Sequence, residues 1–505
     1  MESPTTADLR ADTGISGLDE VLGGGLPRGR VYLIEGPPGT GKTTLALQFL
    51  LAGAKLRETV LYITLSETAA ELRAVAESHG WTLDGINILE VTVIEAEPAE
   101  GDPQYTLFHP AEVELNQTLD QIRQHVNAVK PARVVVDSLA EMRLLAQDPL
   151  VYRRQILALK QFLVGAKCTV LLLDDRSPGL AEAHFQSLVH GVITLDQSSQ
   201  GYGAKRRRLE VVKLRGVQFR DGAHDYTIRR GGLAVFPRLV AAEHHRDFPA
   251  ETLSGGVAEL DTLMGGGLHY GTSTLVLGPA GVGKSTVASL YAAAAAGRGQ
   301  NVAFYVFDES PRTLLSRSAG LGINLQEHVN AGRVRIRQVD PAALTPGEFA
   351  HEVRRAVEVD DVRVVVIDSL NGYITSMPEE RLLTVHLHEL LTYLGQQGVL
   401  SILVLAQHGL LGTWMEAPAD VSYLADTVVM LRYFEAAGEV RKAVSVVKKR
   451  GGGHETTIRE LKVGRGGVRC GSPLQDFHGV LTGVPTYRGP AGPLLEDENG
   501  RHSSG

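Results

Sequence analysis

Two octapeptides carry the first chemical signal in this chain, Gly36–Thr43 (GPPGTGKT) and Gly278–Ser285 (GPAGVGKS). Both fit G-x-x-x-x-G-K-[ST], a loop whose glycines let backbone N–H groups curl around an anion. The lysine reaches the outer phosphate oxygens and the hydroxyl after it ligates a metal, so the pattern calls for ATP with Mg²⁺. The expected contacts are Gly36, Gly39, Thr40, Gly41, Lys42, Thr43 and Thr44, then Gly278, Gly281, Val282, Gly283, Lys284, Ser285 and Thr286. Taken alone, either peptide is only a flexible glycine-rich turn. Each, however, follows an apolar run (Val31–Ile34; Leu275–Leu277) and precedes a helix-period segment (Leu45–Leu51; Val287–Ala296). A helix starting there adds its partial positive charge where phosphates would sit.

A phosphate cradle needs an acid to orient the metal. Asp137 and Asp368 each end a run of valines or isoleucines, so with Thr43 and Ser285 they are the candidate Mg²⁺ ligands. The alternative is a strand-end aspartate that caps the next helix. Hydrolysis also needs a group to deprotonate the nucleophile. Glu67 and Glu309 directly follow the apolar runs Val60–Leu65 and Val302–Phe307, and in a parallel sheet that brings them to the cradle's edge. They are the candidate bases, unless they simply start the following helices. Finally, Lys213-Leu-Arg215-Gly and Lys448-Lys-Arg450-Gly close apolar runs late in each half. These cations could neutralise phosphates held by a neighbouring copy, or could be solvated turns.

These residues recur because the chain repeats. Thr13–Ala46 matches Ser254–Ala288, with Asp19 and Asp261, Gly23 and Gly265, and Lys42 and Lys284 each 242 positions apart. The offset falls to 231 at RVVVDSL/RVVVIDSL and is 235 at VVKLRG/VVKKRG, as loop insertions produce. The expected organisation is a flexible N-terminus (1–12), a first domain (13–240), a linker (241–253), a second domain (254–487) and a disordered tail (488–505). In each half, continuous apolar runs alternate with helical segments: Val134–Val136, Val170–Leu173 and Val192–Leu195, then Val364–Ile367, Ile402–Leu405 and Val428–Leu431. Runs without polar alternation mark strands buried on both faces. The fold class is therefore α/β, two tandem P-loop domains with mostly parallel sheets flanked by helices.

Composition narrows the function further. Hydrophobic residues make up 43% of 505, enough for sizeable cores, and the net charge of −8 argues against coating nucleic acid by bulk charge. Two distant cysteines, Cys168 and Cys470, supply neither a disulfide framework nor a thiolate zinc site. No apolar run reaches the ~18 residues of a membrane span, so a cytoplasmic protein is expected.

The double cassette resembles the KaiC family of two-domain RecA-like ATPases, over residues 13–485. The likeness rests on Leu18-Asp19 with Gly23–Leu26 and Leu260-Asp261 with Gly265–Leu268, on Glu67 and Glu309, on the Asp-Ser-Leu runs from Asp137 and Asp368, and on the two Lys-x-Arg-Gly turns. The HGVITLDQ and RRRLEVVKLRG segments look like the broad bacterial group more than the clock protein. The resemblance implies a homo-hexameric double ring with ATP between subunits, the N-terminal ring chiefly an ATPase and the C-terminal ring an autokinase. It implies KaiB-like or signalling partner proteins, and it implies that Lys213, Arg215, Lys448 and Arg450 reach across the interface. Ser422 falls where the first phosphoacceptor sits. Tyr423 and Ala417 replace threonines there, and Ser66-Glu67 and Asp308-Glu309 replace glutamate pairs.

Two other readings compete. A DNA-dependent motor of the RecA or DnaB kind would need a basic track, and Lys205–Arg208 is the only run that offers one. A nucleotide-gated scaffold would use ATP only to assemble, but binding alone needs no base such as Glu67 or Glu309.

Overall fold

The computed structural model describes residues 9–91, 110–146, 148–175, 186–199, 203–375, 380–407, 422–436, 438–481 and 486–487. The chain divides into two compact units between Arg238 and Leu239. The first is built on nine strands: β1 (Val31–Gly36), β2 (Val60–Thr64), β3 (Ile86–Glu90), β4 (Arg133–Asp137), β5 (Thr169–Asp175), β6 (Gly191–Ser198), β7 (Arg206–Leu214), β8 (Ala223–Arg229) and β9 (Gly232–Phe236). Their order is β3-β2-β4-β5-β1-β6-β7-β8-β9. The first six in that order are mutually parallel, and β7 to β9 extend the sheet antiparallel.

The second unit repeats this plan with β10 (Ser273–Gly278), β11 (Asn301–Val306), β12 (Val334–Gln338), β13 (Val362–Asp368), β14 (Leu400–Ala406), β15 (Thr427–Ala436), β16 (Glu439–Lys449), β17 (Arg459–Gly464) and β18 (Gly467–Pro473). The order β12-β11-β13-β14-β10-β15-β16-β17-β18 is the same topology strand for strand.

Alternation across the central strands makes two cores per unit. Tyr32, Ile34 and Val135 face one core, whereas Val31, Leu33, Val134 and Val136 face the other. Cutting Leu33 back to alanine would therefore cost about 2–5 kcal/mol, the range for a large-to-small change in a packed core.

The segment expected as a linker is packed onto the second unit. Leu239 and Ala241 are buried in its core, and the Gln397 side chain donates to the His244 carbonyl at 2.9 Å. Part of the expected flexible N-terminus is also pinned: Arg10–Ala11 pair with Leu26–Pro27, and Arg10 Nη1 donates to the Leu22 carbonyl at 2.8 Å. Ala417 and the expected tail, 488–505, lie outside the described residues. No helix among the described residues is long and apolar enough to cross a membrane.

Candidate functional site

The parallel strands bring every expected acid and both cradles to one sheet edge per unit. In the first unit Gly36 ends β1 opposite Asp175 of β5, Asp137 ends β4, and Glu67 stands three residues beyond β2. The loop turns into the helix Lys42–Lys55 through Gly41, at φ 93°, and a Cβ there would lie 2.7 Å from Ile228 Cδ1. Only glycine suits that backbone. The second loop enters the helix Lys284–Gly297 through Gly283, at φ 117°. A Cβ on Gly36 or Gly278 would lie 2.3 or 2.4 Å from a neighbouring strand's carbonyl oxygen.

Within the first site, Thr43 Oγ1 donates to Asp137 Oδ2 at 3.3 Å, and the Tyr62 hydroxyl donates to the same oxygen at 2.5 Å. Lys42 Nζ donates to the Gly36 carbonyl at 2.7 Å and pairs with Asp175 at 2.8 Å. Burial raises the Asp137 carboxyl above its usual range, with Tyr62, Thr43 and Lys42 pulling the other way. Burial also raises Glu67, and the nearby carboxylates of Asp137 and Glu71 raise it further. Glu67 Oε2 is buried without a hydrogen-bond partner among the described residues.

Glu67 does not start the next helix. Thr68 caps Ala69–Ser78, and Glu71 completes a capping box with it. Likewise Ser310, not Glu309, caps Pro311–Gly320 by accepting from the Thr313 N–H. Both glutamates stand outside the helices they precede.

The second site has the same plan and different partners. Lys284 is buried and donates to the Pro279 carbonyl at 2.7 Å. Ala406 stands opposite Gly278, where the first unit has Asp175 opposite Gly36. Burial pushes the Lys284 ammonium down to about 8, against the pull of Asp368. Phe304 replaces Tyr62, and the buried Asp368 Oδ2 has no hydrogen-bond partner among the described residues. Burial raises Asp368 too, opposed by the Ser285 hydroxyl. Ser369 donates to Asp308. Arg317 Nη2 donates to Glu309 Oε1 at 2.7 Å.

Lys213, Arg215, Lys448 and Arg450 are not at this edge. Lys213 pairs with Val192, beside Leu33, and the Arg215 carbonyl accepts from Arg30 at 2.5 Å. Three residues of strand separate the Lys213 level from Gly36, about 10 Å at ~3.3 Å each, and Arg215 lies about two residues farther, level with Val31. In the second unit the Arg450 N–H donates to the Asp426 carbonyl, and the Asp426 N–H donates to that of Ser273, the first residue of β10. Arg215 and Arg450 therefore lie at the opposite edge from their own cradle, with Lys213 and Lys448 partway along the strands. There they clasp equivalent turns: Arg215 Nη2 to the Ser187 carbonyl at 3.0 Å, Lys213 to that of Gln186, Lys448 Nζ to that of Ser422 at 2.9 Å, and Arg450 Nη2 to that of Tyr423 at 2.6 Å. Ser422 is half-buried and Tyr423 exposed, both at this far edge. The Gln186 side chain also donates to Glu35 at 2.7 Å, next to the first cradle.

Sequence reasoning missed Tyr62, Asp175 and Arg317. It also missed Tyr433 and Lys442 of the β15–β16 hairpin, which donate to the Ala280 and Gly281 carbonyls at 3.2 Å each. Superposing the halves at the 242-residue offset would have marked Tyr62/Phe304 and Val75/Arg317 as differences between sites. Of the basic run, Arg206–Arg208 open β7, and Arg208 lies 3.7 Å from Asp225.

The residues present suit a metal-bound nucleotide. Glycine-only loops, a hydroxyl against a buried acid, and two buried carboxylate oxygens lacking partners all fit Mg²⁺ and a polyphosphate. Fold and site together define a tandem P-loop ATPase of the RecA-like class. The chain belongs to the KaiC ATPase family, which matches residues 11–240 and again 253–475. It is 26% identical over 502 residues to the circadian clock oscillator protein KaiC of Parathermosynechococcus lividus, covering 96% of this chain and 91% of that protein. To the circadian clock protein KaiC3 of a Synechocystis strain it is 25% identical over 494 residues, covering 96% of both.

Proposed function

We propose that this chain is an ATP-driven ring-forming switch that hydrolyses ATP in its first unit and transfers phosphate to Ser422 in its second. The observation that carries this is the separation of cradle and cations. Along the strands Lys213 and Lys448 are about 10 Å, and Arg215 and Arg450 about 16 Å, from their own loops, too far for a side chain to span. They serve a cradle only when another copy presents one, and a contact of this kind is heterologous, the type that forms a ring when its rotation closes. A hexamer formed this way has ATP at each interface, and the relatives' clock proteins support that reading.

Lys42 and Lys284 bind the β/γ-phosphates, and loop N–H groups from Gly39 to Thr44 and Gly281 to Thr286 cradle them. Thr43 with Asp137, and Ser285 with Asp368, would hold Mg²⁺, which when bound supplies neutralising charge at the phosphate oxygens. Glu67 takes a proton from the attacking water as its oxygen joins the γ-phosphorus and ADP leaves. In the second unit the Ser422 hydroxyl of one copy replaces water at its neighbour's cradle, giving its proton to that neighbour's Glu309 as its oxygen joins the γ-phosphorus and ADP leaves. Tyr423 carries its hydroxyl several Å farther from the backbone, so one geometry does not serve both. The expected output is a one-site switch, read by a KaiB-like or signalling partner.

The test is to incubate pure protein with Mg-ATP, measure phosphate release and map phosphopeptides. Release of phosphate with label on Ser422, lost in Ser422→Ala, is expected. Label undiminished in that variant, or none in the wild type, removes the kinase and leaves an ATPase.

A further inference from the structure

We infer that Arg317 is a positioning residue of the second site: by holding Glu309 through its carboxylate it keeps that site slower in hydrolysis than the first. This rests on the assignment of Glu67 and Glu309 as bases. The two glutamates stand at equivalent places before equivalent helices, so their partners can be compared residue by residue. At the 242-residue offset Glu67 corresponds to Glu309, the cap Thr68 to the cap Ser310, buried Leu72 to buried Leu314, and Val75 to Arg317. Val75 packs against the first unit's core. Arg317, in the equivalent turn of its helix, reaches back to Glu309 Oε1.

A surface ion pair contributes little to stability, but its effect on a base is separate. One of the two carboxylate oxygens accepts from a guanidinium N–H, and the adjacent cation lowers the basicity of the whole carboxylate; charge-assisted bonds of this kind are roughly twice as strong as neutral ones. The Glu309 side chain is only 19% exposed, so water replaces that partner poorly. The charges facing Glu309 are Arg317 from the helix, Asp368 from β13 and Asp308 beside it. Among the described residues the charges that act on Glu67 are the carboxylates of Asp137 and Glu71. When hydrolysis occurs in the second site, the water proton goes to a Glu309 carboxylate whose basicity Arg317 has lowered. Water then attacks less often, and hydrolysis in the second site is slower than in the first.

The experiment uses the full chain in a Glu67→Gln background, so that released phosphate reports the second site. Arg317→Val should release phosphate about threefold to tenfold faster, the effect of strengthening a positioned base by up to one pKa unit. Arg317→Lys, which keeps a cation, should stay near the parent rate. The gain should vanish when Glu309→Gln is added, because the two residues act as one unit. The reciprocal graft Val75→Arg, made in otherwise wild-type protein, should slow the first site by a similar factor and carries the test should Arg317→Val not fold. The inference is overturned if Arg317→Val is no faster than its parent, or if its gain persists without Glu309. A Glu309→Gln chain that keeps full second-site turnover refutes instead the base assignment, and the inference with it.

Discussion

Replacing Glu67 by glutamine tests the proposed chemistry most directly, because the structure separates the catalytic from the structural consequence. Gln is isosteric and cannot take the proton, so first-site turnover should fall by roughly 10²-fold or more, about 2.7 kcal/mol of barrier. The following helix should not notice, since Thr68 and Glu71 already hold its cap. The sign of the stability change also follows. Burial and two carboxylates raise the folded Glu67 carboxyl above its model-peptide value of 4.5. The folded state therefore holds that proton more tightly than the unfolded chain, and loses stability as pH rises from about 4.5 through the folded value. Glutamine escapes this cost. The variant should melt at or above the wild-type temperature at neutral pH and show no such advantage near pH 4. Phosphate release, measured with Glu309→Gln silencing the second site, and equilibrium ATP binding complete the assay. Turnover within a factor of two of its parent would refute the base assignment, and lost turnover with a lower melting temperature would mean that Glu67 is structural.

Chains carrying Lys213→Ala/Arg215→Ala should be inactive at the first site, yet recover about a quarter of wild-type turnover when mixed one to one with Glu67→Gln, since random neighbours complete one interface in four; native mass spectrometry and phosphate release check this, and no recovery would argue against cations acting across an interface. The double variant Lys42→Ala/Lys284→Ala should lose or weaken the hexamer, and a fully stable hexamer without nucleotide would refute nucleotide-built assembly. Because Lys284 titrates near 8 in the folded protein, nucleotide binding there should take up most of a proton at pH 9 and little at pH 6.5. Calorimetry in buffers of different ionisation enthalpy reads this, and Lys284→Arg, which stays charged, should abolish it. The same depression means that charged Lys284 costs the native state stability below pH 8, a cost relieved as pH rises from 8 towards the unfolded value.

The parts of the site made by contiguous residues were legible in sequence. The loops, Asp137 and Asp368 could be placed because a buried parallel strand ends at the same edge as its neighbours, whatever lies between them. The duplication made the fold class secure. What escaped depends on distance in the chain. Asp175 meets Lys42 only because β5 pairs with β1, and nothing near either residue announces it. Whether Glu67 is a base or a helix start turned on which residue caps Ala69–Ser78, a question of backbone angles. The antiparallel strands were harder still: β8 alternates buried and partly exposed positions and reads as amphipathic chain without a partner.

The turn under the cations differs between halves in one respect that affects signalling. In the first unit Gln186 is tied at both ends, by its carbonyl to Lys213 and by its amide to Glu35, the residue before the cradle's first glycine. A pull on the far edge is thus mechanically coupled to the subunit's own nucleotide. In the second unit the matching residue is Ser422, and Leu277 stands where Glu35 does. Leu277 offers no carboxylate for such a strut, and the Ser422 carbonyl accepts from the Lys448 ammonium. A phosphate written onto the Ser422 hydroxyl would add nearly two negative charges beneath Lys448 and Arg450. One half of the chain ties this turn to its cradle through a side-chain pair, and the other half has Ser422 and Leu277 in those two places.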